Sequence, residues 1–327
     1  MMPADAPSRP RFTQPTPGFH LFESVGANLV PTSSHRKTLA LSFPLLPVTA
    51  LLGSLVSLCV GTSFAKSLFP AVGAEGTTTY RLVFATLMLM AFWRPWRRHW
   101  HWADALPLGL YGVTLGVMNL LFYNAIKTVP FGLAIAIEFT GPLAVALWTS
   151  QKPADWLWVV LAIAGLGLIL PLPGGNTAAL DPVGIGFALA AGVCWALYIV
   201  FGQRVAKRYG PLATPMGMLA AALVVTPFGI VQAGPALLDT QWLASGLAVA
   251  LLSSAIPYTL EMYALNHLPK NTFSILLSLE PAVGAVAGWL VLGEHLNSMQ
   301  VLAMACIVTA SMGSAWSAGR NANPAAS

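Results

Sequence analysis

The stretch AIAIEFTGPLAVAL occupies residues 134–147. An acid, Glu138, stands in the middle of an apolar run, and a helix breaker, Pro142, follows four positions later. Surrounded by lipid, both residues are costly. A central acid costs about 2.5 to 3.5 kcal/mol on insertion scales, and a proline withdraws one backbone donor from the helical ladder.

The rest of the chain says that the surroundings are lipid. Of the 327 residues, 56% are hydrophobic and 8% are charged, with a mean hydropathy of +0.71. A soluble domain carries about 25% charged residues, so this chain cannot cover a water-facing surface and reads as an integral membrane protein. Ten apolar stretches are long enough to span, at about 46–69, 76–93, 104–125, 129–149, 156–172, 182–203, 211–232, 242–265, 271–292 and 299–318. A hydrocarbon core of about 30 Å takes about 17–25 helical residues. The connections are short and carry Pro, Gly or charge, as tight hairpins between helices require.

Lysine and arginine favour the cytoplasmic side. With the N-terminus inside, thirteen of the sixteen fall on inside segments, one (Lys127) falls outside, and Lys66 and Arg81 lie within spans. Both termini are therefore expected in the cytoplasm. The run FWRPWRRHWHW (92–102) reads as an interfacial belt on the positive side. The basic residues sit in short separated loops, which speaks against a nucleic-acid partner. Residues 1–44, rich in Pro, Ser and Thr, read as a disordered cytoplasmic tail rather than a cleaved signal peptide, and 319–327 as a second cytoplasmic tail.

The opening stretch recurs. At an offset of 139, residues 125–147 (AIKTVPFGLAIAIEFTGPLAVAL) lie over 264–286 (ALNHLPKNTFSILLSLEPAVGAV), so that Pro130 falls on Pro269 and Pro142 on Pro281. Five spans is an odd number, so a second set of five enters the membrane from the opposite side. The expected fold is all-α: ten transmembrane helices in two inverted five-helix repeats, 45–175 and 180–318. Interrupted helices at mid-membrane in inverted repeats are a recurring transporter design.

Glu138 lies eight residues past Pro130 and Glu280 nine past Asn271, which places them about 12 and 14 Å deep at 1.5 Å per residue. Both are candidates for lining a translocation path, the alternative being a hydrogen bond that ties two helices together. Glu261, nearer the cytoplasmic end of its span, is a further candidate that could simply reach the interface. Lys66 and Arg81, toward the opposite side, could snorkel, attract a substrate carboxylate or balance Glu138. Pro142 takes away the helical donor of the Glu138 carbonyl, Pro281 that of Leu277 and Pro257 that of Ser253. Acids and freed carbonyls at mid-depth suit an ammonium group or a proton. Asn119, Tyr123 and Tyr258 are candidates for binding a small polar solute or for structural hydrogen bonds. Gly112 and Gly116 suit close helix packing. Cys59, Cys194 and Cys306 lie in apolar runs and read as packed thiols. No HExxH, GxSxG or paired aspartates occur, and the histidines fall in loops or tails, so neither an enzyme nor a metal or cofactor site is expected.

FAKSLFPAVGAEG (64–76), TVPFGLAIAIEFTGPLAVAL (128–147), VCWALYIVFGQR (193–204), PYTLEMYALNHLP (257–269) and SLEPAVGAVAGWLVLGE (278–294) together resemble the drug/metabolite transporter superfamily with its EamA-type repeats. Within it they are most similar to bacterial inner-membrane exporters of threonine and homoserine. The resemblance covers about 45–318; Lys66, Glu138, Glu261 and Glu280 sit in the matching stretches. It implies a secondary exporter of small amino acids with a central cavity, driven by the proton gradient through alternating access. Export of another small metabolite, such as a purine or an aromatic amino acid, is the alternative within the same superfamily.

Overall fold

The structure, a computed structural model, describes residues 45–148, 156–169, 181–268 and 270–322. The tail expected over 1–44, the loop containing Lys152 and the position of Pro269 lie outside the described residues. Everything regular among the described residues is helical. The helices are α1 (Leu45–Lys66), α2 (Phe69–Trp93), α3 (Trp102–Ala125), α4 (Phe131–Glu138), α5 (Thr140–Trp148), α6 (Trp156–Ile169) and α7 (Pro182–Tyr209). They continue with α8 (Ala213–Ala233), α9 (Thr240–Ala250), α10 (Ile256–His267), α11 (Lys270–Leu277), α12 (Glu280–Leu292) and α13 (Ser298–Ala322).

Among the described residues, seven helical runs are long and apolar enough to cross a membrane, while Phe131–Val145 and Trp156–Leu168 are apolar but shorter. The expected span at 76–93 forms the body of α2, which carries Glu75, Thr77, Thr78, Thr79 and Arg81 and kinks at Gly73, where φ is +70°. The three threonine hydroxyls each donate to the carbonyl four residues back, a local competition that bends helices. The last helix runs on to Ala322, beyond the expected end at 318.

Two helices break where the sequence placed an acid beside a proline. The first break separates α4 from α5 at Phe139, and the second separates α11 from α12 at Ser278 and Leu279. Each proline stands in the first turn of the following helix and not in the middle of a continuous one. There its missing N–H is an orphan donor anyway, and its fixed φ suits a helix start. A third irregularity, the π-helical turn Leu251–Ala255, joins α9 to α10 just ahead of Pro257.

The helices pack in closely fitted pairs. α2 lies along α8, α3 lies between α7 and α8, α6 along α13, and α1 along α10 and α12. The broken helix α4 packs on α12 and α7. Glycine makes the tightest crossings possible. A Cβ on Gly112 would meet the Gly217 backbone, and one on Gly141 would collide with the Gly192 carbonyl. Small residues at such crossings let backbones approach where lipid offers no hydrophobic drive.

Candidate functional site

At the level of the helix breaks lies a cavity of about 300 Å³. Four walls build it. From α1, Leu55, Leu58, Cys59 and Thr62 face it, the i, i+3, i+4, i+7 spacing of one helical face. From α3 the same spacing brings Leu115, Met118, Asn119 and Phe122. Trp195, Tyr198 and Ile199 of α7 form a third wall. The fourth comes from the interrupted segments: Phe131, Ile135, Glu138 and Pro142 on one side, Leu277 and Glu280 on the other, with Tyr258 and Glu261 from α10.

The structure thus brings Glu138, Glu261, Glu280, Arg81, Asn119 and Tyr258 to one cavity. Glu138 and Glu280 keep 7% and 8% of their surface exposed, and Arg81 keeps 7%. Glu138 lies within electrostatic reach of Glu280 and Arg81, and Glu280 of Glu261 and Arg81. Among the described residues, no ion pair or hydrogen bond engages the carboxylates of Glu138, Glu261 or Glu280. Three carboxylates and one guanidinium line a mostly apolar chamber, an arrangement that an incoming cationic group would complete.

Arg81 is held by the protein itself. Its guanidinium donates to Tyr123 Oη at 3.3 Å, Ser254 Oγ at 3.3 Å and the Ser253 carbonyl at 3.2 Å. It also lies 5.6 Å from the centre of the Tyr123 ring. Tyr123 is fully buried beneath Arg81 and is not part of the cavity wall. Two of the carbonyls associated with prolines are covered. That of Ser253 accepts from Arg81, and that of Glu138 faces Gly192 so closely that a Cβ there would press on it. α1 is tied to the π-helical turn by Ser57 Oγ donating to Leu252 O and to α10 by Ser54 Oγ donating to Pro257 O.

Lys66 takes a different place. Its Nζ sits 2.6 Å from Glu294 Oε1, at the end of α1 and away from the cavity wall. On the opposite flank, Tyr198 shares a 3.0 Å hydrogen bond with Tyr111, their rings stacked 4.9 Å apart. Ser54, Thr62, Trp195 and Tyr198 join the cavity lining with no expectation from the sequence, and Cys59, expected only as a packed thiol, joins it as well. Their only trace in the sequence is faint: Cys59 with Thr62 and Trp195 with Tyr198 recur at i, i+3 on helices that are apolar on every face. Among the described residues no cluster of His, Cys, Asp and Glu could hold a metal ion.

Membrane-length helices gathered around a charged chamber, with backbone breaks at its walls, define a membrane transport protein. Residues 182–316 match the EamA-like transporter family. The threonine/homoserine exporter RhtA of Escherichia coli strain K12 is 52% identical over 269 residues, which cover 82% of this chain and 91% of that exporter. RhtA of Salmonella typhimurium strain SL1344 matches with the same identity and coverage. One crystal structure superposes with a TM-score of 0.53 at 18% identity, covering 84% of this chain and 98% of its own, and so supports the fold alone. The chain belongs to the EamA-like transporter family and is RhtA-like within it. It is a transporter and not an enzyme.

Proposed function

We propose that this chain exports threonine and homoserine across the bacterial inner membrane, as a secondary transporter coupled to protons. The observation that carries the reading is the charge pattern of the cavity. Both solutes are small zwitterions. Arg81 offers a guanidinium for the carboxylate, and an ionised Glu138 or Glu280 offers an anion for the ammonium group. Asn119 and Tyr258 supply polar contacts for the side-chain hydroxyl. The 52% identity to the E. coli exporter supports the substrate class.

In this mechanism the cavity is loaded from the cytoplasm with one acid ionised. A proton arriving from the periplasm neutralises that acid, weakens its hold on the ammonium group and releases the solute outward. The proposed architecture is ten spans in two inverted repeats, with both termini in the cytoplasm. In its favour, α4 ends at Glu138 and α11 at Leu277, positions related by the offset of the sequence repeat.

Full-length protein in proteoliposomes tests the reading. Labelled threonine and homoserine should move faster under an imposed proton gradient, and an ionophore should remove the stimulation. Transport of purines or aromatic amino acids in place of these solutes would replace the substrate assignment. Threonine transport indifferent to the gradient would remove proton coupling.

A further inference from the structure

The short helix α4 begins without a cap of its own. Its N-cap position is Pro130, whose side chain accepts no hydrogen bond, so the Phe131 N–H is an orphan donor at the positive end of the helix. The partner comes from far along the chain: Glu294 Oε2 accepts from the Phe131 N–H at 2.6 Å. The other carboxylate oxygen holds Lys66 at 2.6 Å.

Glu294 is itself aimed by backbone geometry. α12 ends at Gly293 in the left-handed region, φ +67°. The Gly293 N–H donates to Trp289 O, and the Glu294 N–H donates back to Gly288 O at 3.1 Å. This closing turn is one that glycine favours. It folds the Glu294 side chain over Gly288, where a Cβ would touch Oε2. One carboxylate therefore joins the end of α1, the end of α12 and the start of α4. The side chain of Phe131, whose N–H it grips, lines the cavity, and the last residue of α4 is Glu138.

We propose that Glu294 is a positioning residue. By capping α4 in trans and holding Lys66, it sets Glu138 in the cavity wall and latches the outer end of the cavity. The assignment of that end as outer rests on the transport reading above. Opening toward the periplasm breaks the Phe131 contact, and reclosing restores it.

Cys59 provides the test, because it lines the cavity and is fully buried in this structure. Full-length protein carrying Cys194→Ser and Cys306→Ser is placed in oriented proteoliposomes. Cys59 labelling by a membrane-impermeant maleimide is followed from each face, together with threonine KM and Vmax. Glu294→Leu, which removes both contacts, should raise labelling from the outer face by roughly tenfold or more, as loss of a charge-assisted hydrogen bond implies, and should raise KM. Glu294→Gln keeps an acceptor for Phe131 and should lie between Glu294→Leu and the unsubstituted protein, which provides a well-folded comparison. The exchange Lys66→Glu with Glu294→Lys restores a charge pair but offers Phe131 no acceptor, so it should not rescue. Unchanged labelling and KM in Glu294→Leu would overturn the proposal. Full rescue by the exchange would reduce the site to a structural ion pair and overturn the capping role. A labelling increase confined to the cytoplasmic face would keep the latch and overturn the orientation drawn in the transport reading.

Discussion

The guanidinium of Arg81 donates to the backbone carbonyl of Ser253, the oxygen whose i+4 position is taken by Pro257. A cation on α2 thus answers a backbone irregularity between α9 and α10, and the side chain that does so lines the cavity. Lysine could carry the charge to this place but not the planar fork that meets a tyrosine, a serine and a carbonyl together. Arg81→Ala should abolish threonine export. Arg81→Lys should lower its kcat/KM by at least about tenfold, with membrane insertion unchanged. Transport assays on matched amounts of inserted protein check this; near-normal activity in Arg81→Lys would show that the fork geometry is dispensable.

The unengaged carboxylates of Glu138 and Glu280 lead to a second expectation. Glu138→Gln and Glu280→Gln should both insert normally, since each removes a buried charge. Under the proposed proton coupling, each should fail to export threonine when a proton gradient is imposed. Solute exchange with no gradient separates their roles: the variant that still exchanges threonine has lost proton coupling, and the one that does not has lost the ammonium site. If both export at the original rate, the cavity acids take no part in transport.

The crossing of Gly141 and Gly192 admits no side chain. Gly141→Val should destabilise the protein by about 1–3 kcal/mol, the usual consequence of overpacking. It should also disturb transport, because α5 begins beside Glu138. Thermal unfolding in detergent measures the first effect and proteoliposome uptake the second. An unchanged unfolding temperature would mean that α5 and α7 separate without loss.

Tyr198 lines the cavity while sharing its hydroxyl with Tyr111. Tyr198→Phe keeps the ring stack and removes one hydrogen bond, which is worth about 0.5–1.5 kcal/mol net. A modest fall in thermal stability is expected, with a rise in threonine KM if the hydroxyl also meets the solute. Stability and KM are measured on the same purified variant, and no change in either would make the hydroxyl pair irrelevant.

What could be read from the sequence follows from where its physical signals are strong. An acid inside an apolar run costs so much that it advertises itself, and so Glu138, Glu261 and Glu280 are legible from the sequence alone. Proline beside two of them marked the broken helices, although each break falls just before the proline and leaves it in a first turn. The cavity wall made by Cys59, Thr62, Trp195 and Tyr198 was much less visible. A membrane helix is apolar on its lipid face and its packed face alike, so periodicity does not announce which side meets a neighbour. Lys66 was visible as a charge, but its partner was not. Glu294 stands 228 positions away, brought back by a turn at Gly293, and nothing local to Lys66 signals that encounter.

The trans cap on α4 also has a meaning for biosynthesis. Phe131 is translated 163 residues ahead of the glutamate that accepts from its N–H. While the first half is being inserted, α4 starts at a proline with no side-chain acceptor of its own, and only the arrival of the second half completes it. The first half made alone should therefore lack a finished α4, and coexpression of separate halves should restore it only when they assemble.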